Sequence, residues 1–185
     1  MKHLLSFSFL LILISCGQPS NKQSIETSIA DTWDAETRII ELGINLSQPS
    51  SPVANYVNVV RTGNLLFLSG KGPDLPEGGY VTGKVGQDLT IDEGREAARW
   101  VAISQLAVLK AELGDLNKVK RIVKVLGMVN CGPDFTNQPQ VINGFSDLMV
   151  EVFGEKGKHA RSAVGMNALP SNIAVEVELI VEVED

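Results

Sequence analysis

"GKHARSAVGMNALPSNIAVEVELIVEVED", residues 157–185, contains two strand-like runs on either side of a Leu-Pro-Ser-Asn turn. In the second run, apolar side chains occupy alternate positions, namely Ile173, Val175, Val177, Leu179, Val181 and Val183. The positions between them are Ala174, Glu176, Glu178, Ile180, Glu182 and Glu184. Because successive side chains of a strand point to opposite faces, the odd positions predict a core-facing surface. The other face carries too many carboxylates to be packed dry, so it must meet water, a cation or a cleft.

A lone arginine, Arg161, opens the first of these two runs. If the runs form a hairpin that turns at Pro170-Ser171, Arg161 lies opposite residues 178–182 on the glutamate face, beside the small residues Ala163 and Gly165. We therefore expect Arg161 to face an acidic cleft with room for a ligand. A cross-strand ion pair between Arg161 and a glutamate, on a strand face that is simply solvated, explains the same pattern.

Two amphipathic helices are predicted upstream of these runs. The clearer one spans residues 91–113, where Thr90 and Glu93 form a capping box and Gly114 provides a left-handed end. The second carries Pro139 in its first turn and ends at a glycine. Their apolar faces can cover one side of a sheet.

Strands are predicted over residues 55–63 and 64–70, joined by a tight Gly-Asn turn, and over residues 119–131. Between the second and third of these strands, residues 71–88 are rich in Gly, Pro and acidic side chains. This segment is a loop or a long hairpin arm with a short strand at residues 80–85. This segment forms either a lid over a site or a surface loop without a functional role.

The order of elements predicts one α+β domain over residues 31–185, with a mixed sheet and two helices packed on one face. A short additional helix near the start of this domain is expected to be capped by Asp31 or Thr32 and to end at Gly43. A composition of 44% hydrophobic and 21% charged residues is ordinary for a globular protein.

The N-terminal stretch "MKHLLSFSFLLILISC" is typical of a targeting segment, because its apolar run is too short to span a bilayer. Its end resembles the lipobox of bacterial lipoproteins, which predicts a signal peptide at residues 1–15 and a lipid on Cys16. Residues 16–30 then form a polar, lipid-anchored tether. The protein is expected in the bacterial cell envelope, anchored to a membrane and facing the periplasm or the exterior. An ordinary secretory signal that contains a cysteine is the alternative.

Charge and cysteine content exclude several classes of function. A net charge of −6 and a pI near 5.0 argue against a nucleic-acid partner. Besides Cys16, the chain has Cys131, His3 and His159, which cannot assemble a Cys/His metal site, and no clustered motif supports a carboxylate site. We expect Cys131 to be a small buried hydrophobic residue and His159 to lie on a surface loop.

Residues 51–184 resemble the RidA family, also called YjgF/YER057c/UK114, which includes proteins once described as L-PSP endoribonucleases. The resemblance is carried by "FLSGKGP" at residues 67–73 and "ARSAVGMNALPSNIAVEVELIVEV" at residues 160–183. The added N-terminal helix and the longer loop after "SGKGP" are similar to the longer branch of the family. This resemblance implies a chorismate-mutase-like fold, a homotrimer and ligand sites in the clefts between subunits. It also implies hydrolysis of reactive enamines and imines to 2-oxo acids and ammonia, without a cofactor or a metal.

The resemblance also assigns roles to individual residues. Arg161 matches the arginine that holds the substrate carboxylate, and Glu176 matches the glutamate that activates the attacking water. The substrate-binding residues that it implies are Tyr56 from a neighbouring subunit, Ser69, Gly70 and, by a weaker match, Asn143. The chain departs from the family at Asn55–Asn58, where Pro-Tyr-Ser-Gln is usual, and at Ala163, where a cysteine is frequent.

Three functions therefore follow as hypotheses. The first is a RidA-like enamine/imine deaminase that acts on small 2-imino or 2-enamino acids. The second is a non-catalytic protein that binds small carboxylates such as 2-oxo acids through Arg161. An endoribonuclease is the weakest of the three, because the chain and its predicted cleft are acidic.

Overall fold

The computed structural model describes residues 33–52 and 54–184 of the chain. The secondary-structure elements of this part, numbered in chain order, are α1 (Ala35–Glu41), β1 (Val59–Thr62), β2 (Leu65–Lys71), α2 (Ile91–Leu113), β3 (Val119–Asn130), α3 (Gln138–Phe153), β4 (Ala160–Met166) and β5 (Val175–Val183). No helix among them is both long and apolar enough to cross a membrane. The predicted signal peptide (residues 1–15), the lipidated Cys16 and the tether (residues 16–30) lie outside the described residues.

Capping signals place the long helices where the sequence predicts them. At the start of α2, the Thr90 hydroxyl accepts from the Glu93 N–H at 3.2 Å, and the Glu93 carboxylate accepts from the Thr90 N–H at 2.8 Å. The helix ends at Gly114, whose φ of 73° is the left-handed conformation that glycine adopts without strain. α3 has Pro139 in its first turn and is followed by Gly154. Both helix predictions are confirmed.

The cap of α1 is Asp34, so the prediction of Asp31 or Thr32 is wrong. The Asp34 carboxylate accepts hydrogen bonds from the backbone N–H groups of Glu36 and Thr37 at 3.0 and 3.3 Å. These donors are otherwise unpaired at the start of a helix, and a carboxylate there also interacts favourably with the helix dipole.

The five strands form one mixed sheet in the order β1-β2-β5-β3-β4. β3 and β4 are parallel, and the other pairs are antiparallel. α2 and α3 pack on one face of this sheet and form a single core with the odd positions of β5, all of which are buried. The α+β class, the mixed sheet and the core-facing positions of β5 are confirmed.

The predicted hairpin between the last two strands is wrong. β4 pairs in parallel with β3, whereas β5 lies between β2 and β3. The strands β3 and β4 are joined through α3, so a crossover helix and not a tight turn sets the direction and register of β4. The chain then crosses to the centre of the sheet past a 3₁₀ turn at Pro170–Asn172.

Residues 80–85 do not form a strand, contrary to the prediction. They make isolated bridges, in which Thr82 pairs with Ile173 and Val85 pairs with Cys131. The Val85 N–H also donates to the Asn130 carbonyl at 2.8 Å. This part of the long loop is therefore packed against β3 and the entry to β5.

Cys131 is 3% exposed within the hydrophobic core, which confirms it as a buried hydrophobic residue.

β2 contains a bulge at Ser69–Gly70, where its register against β5 shifts between Leu68 and Lys71. The side chain of Gln105 in α2 is fully buried, and its amide donates to the carbonyls of Ser69 at 2.9 Å and Val177 at 2.7 Å. It thereby pairs backbone acceptors next to the place where the bulge interrupts the ladder. The bulge brings Gly70 beneath the first glutamate of β5.

Candidate functional site

Glu176 lies on the face of the sheet that α2 and α3 leave open. Its carboxylate stands directly over Gly70, where an added Cβ would come within 2.1 Å of Glu176 Oε1. No hydrogen-bond donor among the described residues reaches this carboxylate. Burial raises the pKa of Glu176 above its usual range, and the negative charge of Glu178 adds to this effect. A half-buried carboxyl group with a raised pKa and free acceptor positions is suited to general acid/base chemistry.

Ser69 and Tyr56 lie in the same region as Gly70. The Ser69 hydroxyl donates to the Val57 carbonyl at 2.7 Å, and the Ser69 N–H donates to the Asn58 carbonyl at 3.0 Å. These bonds hold the segment before β1 beside the bulge. The neighbouring Tyr56 is 48% exposed.

Arg161 projects from β4 toward the helix side of the sheet, because it pairs with the core-facing Val125 of β3. Its Nη1 donates to Asn143 Oδ1 at 2.9 Å and to Ser146 Oγ at 3.0 Å, and its Nη2 donates to the Pro139 carbonyl at 3.4 Å. All three acceptors belong to α3 and are neutral. The guanidinium has five N–H groups, so Nε–H and one Nη2–H have no acceptor among the described residues.

His159 supports this arrangement through Ser146. Nδ1 of His159 lies 2.6 Å from the Gly157 carbonyl, and Nε2 lies 3.0 Å from Ser146 Oγ. Since a carbonyl only accepts, Nδ1 carries the proton, and in the neutral ring Nε2 accepts from the Ser146 hydroxyl. Burial holds the pKa of His159 below its usual value, and the Arg161 charge contributes although the Gly157 carbonyl opposes the shift. The half-buried His159 thus orients an acceptor of Arg161. It lies in the loop before β4 as predicted, but it is not on the open surface of that loop.

The predicted site residues fall into two groups on opposite faces of the sheet. One group consists of Ser69, Gly70 and Glu176, beside the segment that carries Tyr56, and the other of Arg161 and Asn143. The expectation that Arg161 shares the glutamate face is wrong, because its register follows from parallel pairing with β3. The alternative of a cross-strand ion pair is also wrong, since no carboxylate of the described residues pairs with Arg161. We call the two groups the glutamate half-site and the arginine half-site.

The open face of the sheet around the glutamate half-site is partly apolar. Val60 pairs with Phe67 across β1 and β2, and Phe67 pairs with Ile180 of β5. Phe67 is 41% exposed and Val60 is 55% exposed. On the edge strand β4, Val164 is 38% exposed. Exposed apolar side chains that cluster on one face indicate an interaction surface.

Ser146 and His159 are site residues that the sequence analysis did not identify. A signal for Ser146 exists, because Pro139, Asn143 and Ser146 are spaced at i, i+4 and i+7 and therefore lie on one side of α3. No group of three or more His, Cys, Asp or Glu side chains within the described part of the chain is arranged to hold a metal ion.

Residues 36–183 match the family profile described as "YjgF/chorismate mutase-like, putative endoribonuclease". The chain belongs to the YjgF/RidA family. Its fold agrees, since a crystal structure of the protein Atu1372 with unknown function from Agrobacterium tumefaciens superposes with a TM-score of 0.75 at 43% sequence identity. That likeness covers 85% of this chain and 97% of the other.

Two curated proteins give further likenesses within the YjgF/RidA family. Protein TCP17 of Trypanosoma cruzi is 47% identical over 159 residues, which covers 85% of this chain and 99% of the relative. A 2-iminobutanoate/2-iminopropanoate deaminase of Dermatophagoides farinae is 31% identical over 134 residues, covering 72% of this chain and 89% of the relative. The family therefore includes an imine deaminase among the proteins that this chain resembles.

Replacing the Glu176 carboxyl group by an amide is predicted to change how stability depends on pH. A raised pKa means that the folded protein holds this proton more tightly than the unfolded chain does. The resulting stabilisation is present below the usual value of 4.5 and is lost as the pH rises through the folded pKa. Glu176→Gln removes this loss, so its stability relative to the unmutated protein, measured as the difference in the free energy of unfolding, should be greater at pH 8 than at pH 4.

Urea unfolding followed by circular dichroism between pH 4 and pH 8 checks this prediction. Glu184→Gln, at an exposed position after β5, is the control and should follow the unmutated curve. A Glu176→Gln protein whose relative stability falls as the pH rises would contradict the account of the buried carboxyl group.

Proposed function

We propose that this protein is a cofactor-free deaminase that hydrolyses small 2-imino and 2-enamino acids to 2-oxo acids and ammonia. The observation that carries the proposal is the state of Arg161, a half-buried cation held only by neutral acceptors. Its free Nε–H and Nη2–H can donate to the two oxygens of one carboxylate. The imine deaminase among the relatives supports the choice of substrate class.

The two half-sites imply an assembly, because no ligand within one chain can reach both faces of the sheet. We propose that the arginine half-site of one protomer, at the edge strand β4, lies against the glutamate half-site on the open face of the next. Such an interface joins two different surfaces of the protomer. Repeating it gives a closed ring when the rotation between neighbouring copies divides a full turn into equal steps. A homotrimer with three sites between protomers meets this requirement. The exposed Phe67, Val60 and Val164 support burial of the open face.

In the proposed reaction, Arg161 binds the substrate carboxylate and places the imine carbon near Glu176. Glu176 accepts a proton from a water molecule, whose oxygen attacks the carbon of the protonated imine to form a neutral carbinolamine. Glu176 then returns that proton to the nitrogen. As the C=O bond forms, the hydroxyl of the carbinolamine gives its proton back to Glu176, the C–N bond breaks, and ammonia leaves. One water is consumed and one ammonia released, so no electron donor or acceptor is needed. A carboxyl group with a raised pKa is a stronger base than an ordinary one, so it takes up a proton more readily and can return it.

A non-catalytic protein that binds 2-oxo acids is the second candidate. The same Arg161 donors favour it, since a product-like carboxylate satisfies them equally well. Ribonuclease activity is disfavoured by the open face, where Glu176 and Glu178 would repel phosphates. Turnover of an imine distinguishes the first candidate from the other two.

An amino-acid oxidase can generate the imine in situ, and semicarbazide can trap what the protein leaves unhydrolysed. The unmutated protein should lower the trapped imine. Glu176→Gln should lose roughly 10²- to 10⁴-fold in rate because the base is gone. Arg161→Ala should lose roughly 10- to 100-fold in kcat/KM because the carboxylate loses a charge-assisted pair of hydrogen bonds. Arg61→Ala, which removes an exposed arginine of β1, is the matched control and should be unchanged.

Absence of any acceleration by the folded, unmutated protein, together with saturable binding of a 2-oxo acid, would replace the deaminase by the binding protein. Equal activity of all four proteins would rule out both roles for the two half-sites.

We also propose that the protein is a lipoprotein, anchored to a membrane of the bacterial cell envelope through Cys16 and facing the periplasm or the exterior. The lipobox-like end of the N-terminal apolar run supports this proposal. Substrate would then be met outside the cytoplasm, and the membrane would be contacted through the anchor alone.

Cys16→Ser is predicted to abolish both incorporation of radiolabelled palmitate and partition with membranes. Cys131→Ser is the control, because this buried residue should have no part in anchoring. A Cys16→Ser protein that is still processed and still sediments with membranes would contradict the lipid anchor.

A further inference from the structure

A cavity of about 560 Å³ lies between residues 42–50, the start of the long loop at Lys71–Pro76 and the outer side of α2. It is on the helix side of the sheet, because Lys71 pairs with the core-facing Val177. None of the residues of the glutamate or arginine half-site lines it. Its apolar wall is formed by Leu42, Ile44, Leu75, Trp100, Ile103 and Ala107.

Lys71 places a cation in the wall of this cavity. The residue is only 8% exposed, and its Nζ donates to the carbonyl and the hydroxyl of Ser50, each at 3.3 Å. An ammonium group has three N–H donors, so one remains. No carboxylate of the described residues forms an ion pair with Lys71. A buried cation without a counter-ion is costly, and burial accordingly lowers the pKa of Lys71, although Asp74 opposes the shift.

Among the described residues, none of the other charged groups around the cavity forms an ion pair with Lys71, although Asp74 partly offsets its charge. Arg99 is paired with Glu151 at 3.0 Å. Glu96 is exposed and Asp74 is half-buried, whereas Lys71 is buried. Because both of these carboxylates line the cavity together with its apolar wall, a singly charged anion with an apolar chain fits this lining better than a multiply charged one.

We propose that this cavity is a second binding site, which takes a short-chain monocarboxylate with its carboxylate on Lys71 and its hydrocarbon chain against Trp100, Ile103 and Ala107. The carboxylate supplies the counter-ion that the described residues do not provide. The hydrocarbon chain covers the apolar wall of the cavity and so removes apolar surface from contact with water. This site does not depend on the proposed deaminase reaction, since it lies on the other side of the sheet from Glu176 and shares no residue with either half-site.

Titration with hexanoate tests the proposal, with hexylamine and 1-hexanol as ligands of the same chain length. The protein is produced without residues 1–16, which leaves the compact unit Trp33–Asp185 whole. Trp33→Phe makes Trp100 the single tryptophan, which can be excited selectively at the red edge of its absorption, away from the two tyrosines. Hexanoate should change the Trp100 emission saturably and raise the melting temperature, whereas hexylamine should do neither. Hexanol should bind more weakly than hexanoate.

Lys71→Met should weaken hexanoate binding roughly ten- to a hundredfold, because a hydrogen bond to a charged group is lost, and Lys71→Arg should retain most of it. Arg161→Ala should leave the Trp100 response to hexanoate unchanged, which separates this site from the proposed active site. The proposal is overturned if hexanoate and hexylamine give the same response, if no response saturates, or if Arg161→Ala abolishes binding. The comparison of ligands uses no substitution at Lys71 and so decides the matter even where Lys71→Met fails to fold.

Discussion

Among the described residues, the guanidinium of Arg161 is held only by neutral acceptors of α3. Its positive charge is therefore available to a ligand, and the proposed chemistry depends on this availability. This arrangement arises because β4 follows a crossover helix and pairs in parallel with β3, which turns Arg161 toward α3 and away from the glutamates. Because β4 is an edge strand, the Arg161 side chain is half-buried and can contact a ligand that approaches from outside the sheet. Asn143 and Ser146 fix its direction, and His159 fixes Ser146. The positive charge is thus oriented but not neutralised.

The glutamate half-site likewise contains a group whose hydrogen bonds are not satisfied by the described residues. Glu176 is a carboxyl group seated over Gly70, with a raised pKa and no donor among the described residues. Each half-site holds a group whose charge or hydrogen bonds are incompletely satisfied within one chain, which is a loss of stability that functional sites commonly carry. The sheet separates the two, so contact between protomers is the way for both to act on one ligand.

Local signals in the sequence predicted the helices and strands well, but they did not predict which strands pair with each other. The caps of α2 and the alternation in β5 depend on neighbours a few residues away, so they could be read from the chain. Alternation does not state which strand lies beside which, and the assumed hairpin therefore put Arg161 on the wrong face. The segment at residues 80–85 looked like a strand but pairs only through isolated bridges. His159 lies in a loop as predicted, but its contact with Ser146 could not be predicted because Ser146 lies on a separate helix.

Mixing two impaired variants tests most directly whether one site combines Arg161 of one protomer with Glu176 of another. Arg161→Ala and Glu176→Gln chains, co-expressed at equal levels and purified as one assembly, should regain imine hydrolysis at about a quarter of the sites, since each site takes its two groups from different protomers. Each variant alone should stay below this level, because Glu176→Gln lacks the base and Arg161→Ala loses roughly 10- to 100-fold in kcat/KM. No recovery in mixed assemblies whose composition is verified by mass spectrometry would contradict the shared site.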